Sequence, residues 1–259
     1  MIRNTFQRMS GWIQLLFLFF FFFLGQTCAV VLIHSLLNIN LLVGMGNLTQ
    51  NELWRVFSIT SIFSFLLPAL LCASLFNKRT EDFLAIDRGS SPISFALSVL
   101  SIIAIQPFIA LIGEWNQNVN LPESLHLMEK TAQQITEKII LIDPSISALM
   151  INIVVLALIP AIAEEFFFRG IIQQILQKIS NNKHLAIWAT AIIFSFIHFQ
   201  FYGFFPRIFL GALLGYIFVY SNSLWIPILV HFINNALSIL LFRQYHDNKS
   251  VIEFGIGET

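Results

Sequence analysis

Seven long apolar stretches, separated by mostly short polar joints, decide what this chain can become. They are Trp12–Leu37, Leu53–Phe76, Ile93–Ile112, Ile146–Ala163, Leu185–Phe199, Phe205–Tyr220 and Leu224–Phe242. A membrane-crossing helix needs about 20 mostly apolar residues to cover about 30 Å of hydrocarbon. Inside lipid each backbone N–H and C=O must find its partner within the protein, which for runs of this length means helix. The piece from Pro160 to about Ile179 is also helical in pattern and offers an eighth segment. The expectation is an all-α, polytopic membrane helical bundle with seven to eight transmembrane segments. Composition agrees: the chain is 57% hydrophobic with 28 Phe, and only 11% charged against about a quarter in soluble proteins. Fourteen basic and fourteen acidic residues balance, so no basic face points to nucleic acid. The expected surroundings are a lipid bilayer. Cys28 and Cys72 lie inside apolar runs and form neither a disulfide framework nor a zinc knuckle.

The first apolar run follows Arg3 and Arg8 and continues past Phe17–Phe23 to Leu37. That is longer than the apolar core of a signal peptide, and no small-x-small cleavage pattern follows, so it reads as a retained anchor. Its phenylalanines read as lipid-facing. Arg3 and Arg8, with Lys78, Arg79 and Arg88 two crossings later, put the N-terminus in the cytoplasm. The longest joint, Glu114–Ser145, alternates Leu125, Met128, Ile135 and Ile139 with Glu and Lys at helical spacing. It reads as an amphipathic helix, either on the membrane surface or packed on the bundle. Residues 1–145 are thus N-terminal helices with an amphipathic loop helix, 146–242 a second block, and 243–259 a tail. The tripeptides Asn47-Leu48-Thr49 and Asn248-Lys249-Ser250 match a glycosylation pattern but carry no weight. No internal repeat is visible, and nothing signals an oligomeric state.

Nearly all charges sit in joints or at span ends. Glu164, Glu165 and Arg169, in Ala163-Glu-Glu-Phe-Phe-Phe-Arg-Gly170, do not. A charge at the bilayer centre costs roughly 2.5–3.5 kcal/mol on insertion scales, so three in one stretch need partners, water or a purpose. Glu165 and Arg169 are four apart, about 40° around a helix, and can pair. Glu164 is turned about 100° from Glu165 and about 140° from Arg169, so it faces elsewhere, toward a cavity. Pro160, four residues earlier, removes a backbone hydrogen bond and is expected to kink the helix there. Phe194 and His198 share one face of a later span, and His231 and Asn235 share a face of the last. His198, His231 and Asn235 can converge on Glu164. Asn152 and Asn234 read as interhelical glue, Gly211 and Gly215 as close helix packing, and Arg207 as a residue that snorkels at a span end or touches a substrate.

Glu-Glu-x-x-x-Arg at 164–169, Phe-x-x-x-His at 194–198 and His-x-x-x-Asn at 231–235, in that order, resemble the CPBP family. These are the CAAX-prenyl-protease and bacteriocin-processing membrane proteins, also called Abi. The resemblance runs from Ile146 to Phe242, which makes 146–242 the expected catalytic core. It implies an intramembrane endopeptidase acting on a membrane protein or peptide, prenylated in the eukaryotic branch. The compact chain with short loops is more similar to prokaryotic members, which implies the prokaryotic cell (inner) membrane.

Amide hydrolysis needs an activated water, a stabilised oxyanion and a protonated leaving amine. The spans show no Ser-His-Asp or Cys-His arrangement, which leaves carboxylate-driven attack by water. The resemblance implies Glu164 as general base, His198 as its partner on the water, and His231 with Asn235 as oxyanion donors. Glu165 and Arg169 would orient the helix or bind a substrate carboxylate, with Phe194 in support. No cofactor is favoured. Glu164, His198 and His231 would nonetheless make a His₂Glu zinc set, though without the His-Glu-x-x-His pattern of zinc proteases. The alternatives are a non-catalytic immunity or scaffold protein of the same family and a proton-coupled transporter. The missing repeat counts against a transporter.

Overall fold

The computed structural model describes residues 2–245, and among these there are helices but no strand. His246, the tripeptide at Asn248 and the tail beyond Tyr245 lie outside the described residues. After the short α1 (Ile2–Arg8) come α2 (Gly11–Leu37), α3 (Gln50–Phe76), α4 (Thr80–Leu84), α5 (Pro92–Gln117) and α6 (Glu123–Leu141). The second block comprises α7 (Ile146–Ser180), α8 (Lys183–Ile197), α9 (Phe204–Ser221) and α10 (Trp225–Tyr245). Six of them, α2, α3, α5, α7, α9 and α10, are long and apolar enough to cross a membrane. The protein is an integral membrane helical bundle.

Two features differ from the expected spans. No separate eighth segment starts at Pro160, because α7 runs through it as one helix of 35 residues, about 52 Å at 1.5 Å per residue. A wide π-type turn over Ile153–Leu158 immediately precedes Pro160, loosening the hydrogen-bond ladder where proline supplies no N–H. The same device stands before Pro68, where Ile62–Leu66 is wide. The other difference is α8. At 15 residues it is about 22 Å long, short of the hydrocarbon thickness.

Helix ends follow from local chemistry. Thr49 and Glu52 cap α3 reciprocally, with Glu52 N–H donating to Thr49 Oγ1 (3.3 Å) and Thr49 N–H to Glu52 Oε2 (2.7 Å). Ser91 and Ser145 cap α5 and α7 by accepting from Ser94 N–H and Ala148 N–H, both at 3.1 Å. At the other end, α2, α7 and α9 stop at Asn38, Asn181 and Asn222, each left-handed with φ of 54°, 50° and 54°. Asparagine tolerates that conformation better than other non-glycine residues.

Phenyl rings tie the halves together. Phe22 of α2 meets Phe65 of α3 (5.3 Å) and Phe167 of α7 (5.6 Å), and Phe168 then meets Phe194 of α8 at 5.0 Å. The phenylalanine run is therefore only partly lipid-facing: Phe20 and Phe23 point outward, whereas Phe22 packs inward. The amphipathic α6 packs on the bundle. Ile139 and Ile140 are buried in a cluster with Ile33, Leu53, Val56 and Ile239. Lys138 Nζ donates to Gly46 O (2.9 Å), and Gln50 Nε2 to Ile139 O (2.9 Å).

Candidate active site

Helix α7 lies at the centre of the bundle, against α3, α8, α9 and α10. Glu164 stands about 27 Å along it from Ile146. On one side of α7 the charges are sealed. Glu165 and Arg169 are both 0% exposed, and Arg169 Nη1 donates to Glu165 Oε1 at 2.7 Å. His231 Nδ1 donates to that same oxygen at 2.8 Å. An ionised carboxylate only accepts, so the proton on Nδ1 is fixed and Nε2 is the atom turned away from Glu165. Arg169 Nη2 donates to Gly211 O (2.8 Å), and one turn on Gln173 Nε2 donates to Gly215 O (3.1 Å). The glycine pair in α9 thus does more than allow close packing: it presents two carbonyls to two polar side chains of α7. A Cβ at Gly215 would come within 2.8 Å of Gln173 Oε1 and 2.9 Å of Ile187. Because Glu165 and Arg169 have no exposure, binding a substrate carboxylate is closed to them, and what they touch is His231 and α9.

On the other side of the helix, Glu164 lines a cavity of about 230 Å³. Phe194, His198, His231 and Asn235 line it too, so three helices bring all the expected groups to one space. His198 ends α8, and its Nδ1 donates to Phe194 O at 2.7 Å, leaving Nε2 as the acceptor of a neutral ring. His231 Nε2 is 4.0 Å from Glu164 Oε2. The Phe194 ring sits between these groups, 4.8 Å from the His198 ring, 6.1 Å from His231, and under the Arg169 guanidinium at 5.2 Å. It separates the sealed cluster from the cavity while touching both.

Several residues that shape the cavity were not legible as such. Asn234 is more than glue: its Nδ2 donates to Asn235 Oδ1 (3.4 Å) and its Oδ1 accepts from Gln106 Nε2 (3.0 Å). That chain turns the NH₂ of Asn235 away from its neighbour. Asn152 does act as glue, accepting from Trp54 Nε1 at 2.7 Å. The loop after His198 is pinned by the N-terminal half. Asn116 Nδ2 donates to Phe201 O (2.9 Å), Asn116 Oδ1 accepts from Phe205 N–H (3.1 Å), and the buried Glu129 accepts from Phe201 N–H. Ile135, Thr136 and Ile139 of α6 complete the wall. Arg207 does not snorkel outward: it is 8% exposed and faces the cavity.

A catalytic zinc takes three protein ligands. Among the described residues no three His, Cys, Asp or Glu side chains are grouped to hold a metal ion, so Glu164, His198 and His231 as arranged do not fit one.

A family model described as type II CAAX prenyl endopeptidase Rce1-like matches residues 146–237. An uncharacterized protein, YpbD of Bacillus subtilis (strain 168), is 29% identical over 99 residues, covering 37% of this chain and 48% of that one. The chain therefore spans about half the length of that curated relative. No solved structure matches. The matched block runs from α7 into α10, the part that carries Glu164, His198, His231 and Asn235, and over that block the chain is similar to CAAX-protease-like membrane proteins.

Proposed function

We propose that the protein is an intramembrane endopeptidase that hydrolyses a peptide bond of a membrane-associated or prenylated-type protein or peptide. The observation that carries this reading is one cavity, deep in an apolar bundle, lined together by Glu164, His198, His231 and Asn235. Glu164 takes a proton from a water that His198 Nε2 helps to hold, and the water oxygen attacks the scissile carbonyl carbon. The negative charge that develops on the carbonyl oxygen is met by the NH₂ of Asn235. His231 Nε2 donates to it when the ring carries both protons, Nδ1 being already committed to Glu165. Glu164 then returns its proton to the leaving nitrogen as the C–N bond breaks, giving an acid and an amine. Glu165, Arg169 and Phe194 position His231 and the cavity wall. The reading extends to place: a prokaryotic cell membrane with the N-terminus in the cytoplasm, supported by the short loops and by the basic residues flanking the first spans.

The test compares new peptide termini in membranes holding wild-type protein or Glu164→Ala at matched levels. Termini that depend on Glu164 are expected, and they name the substrate. Identical termini with both proteins folded would overturn the protease reading in favour of a non-catalytic immunity or scaffold role.

A further inference from the structure

The bundle has two ends, and the cavity around Glu164 extends toward one of them. Alternating helices put the joint 38–49, helix α6, the loop 199–203 and the close of α10 at a first end. There Lys138 Nζ donates to Gly46 O (2.9 Å), Asn116 Nδ2 to Phe201 O (2.9 Å) and Arg243 Nη1 to Ser145 O (3.3 Å). The joints 77–91, 181–182 and 222–224 share the second end. Leu224 N–H donates to Ala85 O (3.1 Å), Ser223 Oγ to Arg88 O (3.0 Å) and Trp225 Nε1 to Ile86 O (2.9 Å) there. From Glu164 and Leu214, near the middle of their helices, the cavity runs toward the first end. It meets Ile135 and Thr136 of α6 and Ser238 of α10, which keep partial exposure. In the other direction, beyond the sealed Glu165–Arg169 pair, Leu84, Phe168, Ile171, Ile172 and Leu224 fill the space, all 0% exposed. Water and peptide therefore reach Glu164 from the first end.

Which end faces outward follows from the basic residues. Seven flank the second end: Arg3, Arg8, Lys78, Arg79, Arg88, Lys178 and Lys183. Among the described residues outside the cavity wall, four flank the first: Arg55, Lys130, Lys138 and Arg243. The joints 38–49 and 199–203 hold no Lys or Arg. Short joints rich in Lys and Arg stay in the cytoplasm, and those around the first helix weigh most. We infer that the Glu164 cavity opens away from the cytoplasm, so that its substrate is a polypeptide presented at the outer face of the membrane. Such a chain is secreted, or anchored with its cut site in the outer half of the bilayer. A cytoplasmic protein with a prenylated C-terminal cysteine would arrive at the filled end. The substrate class rests on the protease reading; the opening does not.

The experiment labels single cysteines in full-length protein carrying Cys28→Ser, in spheroplasts of a bacterial host. A charged, membrane-impermeant methanethiosulfonate is applied outside, and a permeant maleimide after lysis reads the thiols left unblocked. Cys72 has no exposure and stays. Gly46→Cys and Gly89→Cys mark the first and second ends, at exposed glycines where a Cβ meets nothing within 4 Å. Thr136→Cys and Ser238→Cys report on the cavity. The outside reagent is expected to abolish maleimide labelling of Gly46→Cys, Thr136→Cys and Ser238→Cys and to leave Gly89→Cys fully labelled; inverted vesicles should reverse the pattern. A blocked Gly89→Cys beside an untouched Gly46→Cys overturns the proposal through the orientation. Cavity cysteines that react only from the side of Gly89→Cys, or from neither side, overturn it through the opening. Glu164-dependent termini are expected in segments outside the cytoplasm, and termini confined to cytoplasmic segments overturn the substrate class. The expected labelling with no Glu164-dependent termini counts against the protease reading alone.

Discussion

Glu164 and Glu165 are consecutive residues on one helix, and the bundle treats them in opposite ways. Glu165 has no exposure, and one of its oxygens serves two donors, Arg169 and His231. Glu164 is 9% exposed, and that exposure is to the cavity shared with His198, His231 and Asn235. The 100° step of an α-helix is enough to put a sealed charge and a cavity-facing charge side by side. The lesson is a division of labour within three residues of charge: the sealed carboxylate positions the histidine whose other nitrogen faces the open one.

The strongest way to break this comparison is to remove the cation from the sealed side. Arg169→Met leaves the Glu165 carboxylate buried with His231 alone. Breaking a buried pair in this way costs about 3–5 kcal/mol. Equilibrium unfolding in detergent is expected to show that loss, together with loosening of α9, which forfeits the bond to Gly211 O. Glu164→Gln, one residue from Glu165, is expected to change unfolding by less than about 1 kcal/mol while abolishing turnover. If the two variants unfolded alike, the division between sealed and open carboxylates would be wrong.

The sealed pair was legible because it is local: four residues on a helix bring two side chains together whatever the rest of the chain does. The seven apolar helices and the three motif helices were legible for the same reason. Contacts across helices were not. Nothing in the spacing of Glu165 says that its second partner is His231, 66 positions away. Nor does Gly211-x-x-x-Gly215 announce that its carbonyls receive Arg169 and Gln173. Pro160 argued for a break, and the wide turn before it let the helix run on. Arg207 beside Pro206 looked like a span end, because inward and outward arginines share one sequence pattern and differ only in what the bundle places around them.

A sharper form of the comparison concerns how the open side is aimed. Gln106 of α5 holds Asn234, and Asn234 holds Asn235, so the residue proposed as oxyanion donor is oriented by one outside the block that the family model matches. Removing such a donor outright costs about 100- to 1,000-fold in turnover. Gln106→Leu leaves the donor in place but frees it to rotate, and the expected loss is about tenfold in kcat, about 1.4 kcal/mol, with KM little changed. Gln106→Asn, too short to reach Asn234, is expected to resemble Gln106→Leu. A change confined to KM would mean that Gln106 touches substrate rather than aiming Asn235.

The smallest expected effect lies at the N-terminal end of α7, where polar groups bond to each other within reach of water. Asp143 accepts from Ser145 N–H at 2.8 Å, and this bond holds its carboxyl below the ordinary carboxylate value. Arg243 meanwhile donates to Ser145 O and Pro144 O, fastening the end of α10 to the start of α7. A group whose pKa is lowered by folding contributes stability above its unfolded value and loses it as the pH falls through the folded one. Acidification through that range is therefore expected to free the first turn of α7. Amides of residues 145–148 would exchange faster than the pH dependence of intrinsic exchange allows, while those around Glu165 stay protected. Asp143→Asn should flatten that dependence. If the amides near Glu165 opened over the same pH range, the sealed side would not be sealed, since a buried cluster closed off from water has no reason to follow a titration at the helix end.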